Sequence, residues 1–62
     1  MQFVSYVIVP LRNQTQPVEC AERNATFWGL YGIDFCEDAY AIGDFTEKTD
    51  AEFIRDALIA SP

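Results

Sequence analysis

The run Phe3-Val4-Ser5-Tyr6-Val7-Ile8-Val9 constrains this chain more than any other segment, because it is β-branched or aromatic almost without a polar break. Such a run suits a strand covered on both faces or central in its sheet. Pro10 removes a ladder donor, so the strand is expected to end there and give way to a surface loop, Arg12-Asn13-Gln14-Thr15-Gln16-Pro17. The run is far shorter than the roughly 20 residues that cross a bilayer, and no positive charge precedes it, so it reads as a strand and not as a signal peptide. On that reading the chain stays in the cytoplasm, with Cys20 and Cys36 reduced and acting as small apolar fillers in preference to the alternative, a Cys20–Cys36 disulfide.

Two further strands follow. Thr26-Phe27-Trp28-Gly29-Leu30-Tyr31-Gly32-Ile33 places Phe27, Tyr31 and Ile33 on one side and Trp28 and Leu30 on the other. Its glycines mark positions where a bulky neighbour comes close to the backbone. After a turn at Asp34–Asp38 the chain returns as Ala39-Tyr40-Ala41-Ile42-Gly43-Asp44-Phe45. Between the first two strands, Val18-Glu19-Cys20-Ala21-Glu22-Arg23 accommodates either one or two helical turns, the preferred reading, or a strand.

The C-terminal segment has the marks of a helix. Thr49-Asp50-Ala51-Glu52 matches a capping box, with Thr49 as N-cap and Glu52 reaching back to it, and Thr46 offers a competing start. On a helical wheel Ala51, Phe53, Ile54, Ala57 and Leu58 gather on one side, with Glu52 and Asp56 opposite. The expected architecture over residues 1–62 is therefore a single α+β domain: an antiparallel three-stranded sheet with this amphipathic helix packed on one face.

Charge is distributed as unevenly as hydropathy. The net charge is −6, and residues 1–33 contribute none of it, since Glu19 and Glu22 balance Arg12 and Arg23. Residues 34–62 carry Asp34, Glu37, Asp38, Asp44, Glu47, Asp50, Glu52 and Asp56 against Lys48 and Arg55 alone. A concentrated negative field repels nucleic acid and anionic membrane and steers a small protein toward basic surfaces. Nine aromatics, many for so acidic a chain, set it apart from disordered acidic tails. They exceed what three strands and one helix can hide, so Trp28, Tyr31, Phe35 and Tyr40 are candidates for an exposed interface anchor.

Catalytic chemistry is disfavoured. The chain has no histidine, the side chain on which most acid–base catalysis and common zinc or copper sites rely. A body of 62 residues also offers little of the burial that brings a carboxylate into working range. Asp34, Glu37 and Asp38 lack the spacing of an EF-hand loop, and Cys20 and Cys36 lack that of a zinc site. Gly29-x-x-Gly32 is no phosphate cradle. No enzyme activity, cofactor or metal ion is expected.

What remains is the acidic surface. Glu52 and Asp56 stand one helical turn apart, about 5–6 Å between Cβ atoms, a spacing that resembles that of successive phosphates on a nucleic-acid strand. With Asp34, Glu37, Asp38, Asp44 and Glu47 they could form a row of anions suited to a basic groove, anchored by Phe35 and Tyr40. The competing reading is a small protein-interaction or homodimerising module whose acidity serves only solubility.

The pattern Trp28-x-x-Tyr31, Ala41-Ile42-x-Asp44-Phe45, then Ala51, Ile54 and Leu58, is similar to a hairpin-then-helix arrangement in many short bacterial and phage-borne proteins. In size, acidity and lack of catalytic residues the chain also resembles the anti-CRISPR proteins of phages and mobile elements, in profile and not in motif. That resemblance implies a non-enzymatic inhibitor acting in the host cytoplasm. It would bind the DNA-binding subunit of a CRISPR effector as a monomer and mimic the charge of DNA.

Overall fold

The computed structural model describes residues 3–61. It contains strands β1 (Ser5–Arg12), β2 (Val18–Glu19), β3 (Phe27–Ile33) and β4 (Ala39–Phe45), a 3-10 turn at Glu22–Asn24, and helix α1 (Lys48–Ala60). The architecture is α+β, with one antiparallel sheet in the order β2-β1-β3-β4. The sheet has four strands where the sequence predicts three. The addition is the ambiguous segment after Pro17: Val18–Glu19 pairs with Leu11 and Arg12, and only Glu22–Asn24 turns helically.

β1 is central, as its apolar run predicts, but it does not stop at Pro10. The Pro10 carbonyl accepts the N–H of Cys20, whereas the Leu11 carbonyl accepts that of Thr26 ahead of β3. Backbone polar groups alternate sides along a strand, so the nitrogen of Pro10 faces the short edge strand and no bond to β3 is lost. Proline is tolerated because of the direction in which it points.

Register divides the sheet into two faces. Tyr6, Ile8, Pro10, Trp28, Leu30 and Phe45 share one with α1, and the core forms there around Leu30 and the helical Ala51, both 0% exposed. Gly32 belongs to this face: a Cβ there would lie 2.6 Å from the ring of Phe3, which packs beside Tyr6 and Tyr40. Val7, Val9, Leu11, Phe27, Tyr31 and Ala41 occupy the other face. At one end of that face Leu11 opposes Phe27 and both are buried, while Val7 stays 41% exposed, so of the two settings its apolar run suits, covered on both faces or central in the sheet, β1 takes the second.

The helix is rotated from its predicted setting. Ala51 is buried, and Lys48, Ile54, Arg55 and Leu58 are half-buried, whereas Phe53 is 72% exposed and Ala57 is exposed. At about 100° per residue Phe53 lies roughly 200° from Ala51, on the solvent side. The buried arc turns the other way from Ala51, toward Lys48, Glu52 and Arg55, which are half-buried on the side away from Phe53 and Ala57. The predicted capping box is also absent: the N-cap is Glu47, without a side-chain cap hydrogen bond.

β4 forms one edge of the sheet, and at the other β2 pairs with only Leu11 and Arg12 of β1. Gly43 opposes Leu30 and Ala41 opposes Tyr31, which leaves Ile42 without a partner in a bulge. A bulge twists an edge strand and obstructs its pairing with another chain.

Candidate functional site

The link between β3 and β4 is a tight acidic turn built by its first residue. One oxygen of the Asp34 carboxylate accepts the N–H of Cys36 at 2.9 Å and that of Asp38 at 3.0 Å. The Asp34 carbonyl accepts from Glu37, and the Asp34 N–H donates to the Asp38 carbonyl. Asp34 thus spends its side chain on the backbone, while Glu37 and Asp38 are exposed and Phe35 is 83% exposed. Cys36 is exposed as well, so it is not the apolar filler predicted, and both cysteines are free.

Glu37 adopts a left-handed backbone, φ 67°. That conformation costs an L-residue about 1–2 kcal/mol and is relieved by glycine. Glu37→Gly is therefore expected to raise stability by about 1 kcal/mol, seen as a higher melting temperature; an unchanged or lower one would show that the turn carries no strain.

Tyr40 stands next to this turn. The charge of Asp34, then loss of hydration, then the charge of Asp38 raise its phenol above the ordinary value of 10.0. The folded chain thus holds this proton more tightly than the unfolded chain, so stability falls as pH rises past 10. Lys48, raised chiefly by its bond to Glu22, acts with the same sign. Tyr40→Phe should flatten part of the alkaline decline in melting temperature, and an identical decline in the variant would contradict the assignment.

The remaining predicted site residues lie elsewhere. Asp44 and Glu47 are exposed toward the far end of β4, about 20 Å from the turn at roughly 3.3 Å per residue. Glu52 and Asp56 belong to α1, and both have basic company. Arg55 Nε contacts Asp56 at 3.0 Å, and Glu52 acts electrostatically on Lys48, which also bonds Glu22. Neither of the two ion pairs among the described residues involves Asp34, Glu37 or Asp38. The structure thus brings together Asp34, Phe35, Glu37, Asp38 and Tyr40 at one turn, and places Asp44 and Glu47 toward the far end of β4 and Glu52 and Asp56 on α1. Of the anchor candidates, Trp28 and Tyr31 are half-buried.

Sequence reasoning missed a shallow groove of about 260 Å³ on the face away from α1, lined by Val7, Val9, Leu11, Glu19, Tyr31 and Ala39. Tyr31 lies across Gly29, where a Cβ would come within 2.8 Å of its ring and 2.9 Å of Leu11. Among the described residues no group of three His, Cys, Asp or Glu side chains is arranged to hold a metal ion. No described helix is long and apolar enough to cross a membrane. No protein-family model, curated protein or solved structure matches the chain.

Proposed function

We propose that this chain is a non-enzymatic inhibitor that binds a basic, nucleic-acid-binding surface of a CRISPR interference complex and blocks recognition of target DNA by presenting charge in its place. The observation that carries the reading is the β3–β4 turn, where Glu37 and Asp38, free of ion pairs, follow the exposed Phe35 in the same five-residue turn. Carboxylates around an aromatic anchor are the combination that binds a cationic pocket, because isolated surface charges contribute little. The partner class follows from the acidity and from the likeness of profile to anti-CRISPR proteins. The assignment as a non-enzyme rests on the lack of histidine.

The test is competition. Added to a purified, guide-loaded interference complex at low salt, the protein is expected to displace target DNA, and at high salt the displacement should weaken. Retention of DNA at low salt would reject the reading. The homodimerising alternative has the free edge of β4 in its favour, but the Ile42 bulge and the like charge of two copies oppose it. Light scattering that rises with protein concentration would favour it.

A further inference from the structure

The sheet has one helix for two faces. On the face away from α1, Val7, Val9 and Tyr31 form an apolar floor continuous with Ala39 and Ala41 on β4. Register sets a carboxylate on each side of this floor. Glu19 of β2 pairs with Leu11, and Asp44 of β4 pairs with Gly29, both partners belonging to this face. Across the sheet the two acids stand three strand spacings apart, about 14 Å, and they are offset by two residues, about 7 Å, along the strands, with Glu19 level with Leu11 and Asp44 level with Val9. None of the strand residues on this face is Lys or Arg, since Arg12 alternates to the opposite side.

An α-helix with its side chains is about 10–12 Å across, so it would lie on this floor between the two acids. Charge selects its character. A second copy of this chain would set like charges against each other across the face, whereas Lys or Arg bordering an apolar stripe would meet Glu19 on one side and Asp44 on the other. We propose that this open face docks an amphipathic helix of a protein partner, its apolar stripe on Val7, Val9 and Tyr31 and its basic flanks at Glu19 and Asp44. The proposal rests on the reading of a cationic partner above, but not on which complex supplies it.

The probe is a synthetic helical peptide of about 18 residues, five turns, with a leucine stripe bordered by lysines. Controls are the same composition with the leucines scattered, and a version with glutamates in place of the lysines. Binding followed by methyl NMR is expected to shift Val7 and Val9 saturably for the lysine-bordered peptide alone. Val7→Glu and Ala41→Glu, each at an exposed position, should weaken that peptide about tenfold while melting close to the parent.

Glu37→Lys/Asp38→Lys should leave the Val7 and Val9 shifts in place. Amide shifts confined to residues 34–38, with the Val7 and Val9 methyls unmoved, would overturn the docking face yet leave the acidic turn as a contact for cations. Equal binding of the glutamate peptide would overturn the charge selection. Shifts of Val7 and Val9 that depend on protein concentration without peptide would give the face to self-association and overturn the proposal.

Discussion

Truncating Phe27 to alanine is expected to leave a large fraction of the protein unfolded at room temperature. Phe27 is 1% exposed and Leu30, on the opposite face, is 0% exposed; they are the largest fully buried side chains. Emptying such a site costs about 3–5 kcal/mol for phenylalanine and about 2–5 kcal/mol for leucine. A chain of this length has roughly 3–9 kcal/mol of stability in total, so either change removes much of the margin. Phe53→Ala should behave differently: its ring is 72% exposed, and exposed substitutions stay within about 0.5 kcal/mol. Thermal melts of the three variants read out which way α1 faces. A loss for Phe53→Ala as large as that for Leu30→Ala would mean that the helix buries the side read from the wheel.

The second large effect concerns recognition. Reversing both free acids of the turn, Glu37→Lys with Asp38→Lys, is expected to lower affinity for a basic partner about 10- to 100-fold and to flatten its salt dependence. The loss should fall mainly on association, because rim charges steer encounter. Asp34 is left in place, since its carboxylate holds the backbone of the turn. Reversing Glu52 and Asp56 should cost only a few-fold, because Lys48 and Arg55 already offset them. Competition binding at two salt concentrations compares the pairs, and an equal loss from the helical pair would remove the turn from its leading place.

The contrast between those pairs shows what was legible in the sequence. Charge is read directly from residue type, and so is the concentration of acids beyond Ile33. Whether an acid is free depends on cations brought to it from elsewhere in the chain. Lys48 reaches Glu22, 26 positions away, and no local pattern announces that contact. The turn was legible because its cluster is contiguous, from Asp34 to Asp38, and needs no tertiary contact to assemble.

The elements show the same division. Strands β1, β3 and β4 and the helix declared themselves by composition and period, and Gly32 by the ring beside it. β2 did not, because a two-residue strand is created by its partner: the carbonyl of Pro10 and the end of β1 recruit it. The open face was hidden for a related reason. Val7 and Ile8 are equivalent as letters, and only the side on which the single helix lands makes one exposed and the other half-buried. The helix wheel misplaced Phe53 because it counts aromatic rings as inward, whereas the covered arc runs from Ile54 and Leu58 through Ala51 to the half-buried Lys48, Glu52 and Arg55.

Lys48 has a practical consequence. Its ammonium sits 5.5 Å from the ring centre of Trp28, the sole tryptophan of the chain. The indole belongs to the sheet and the ammonium to the first residue of the helix, so the emission of this one fluorophore is sensitive to any separation of the two layers. The molecule therefore carries an intrinsic optical gauge of helix undocking, readable without a label.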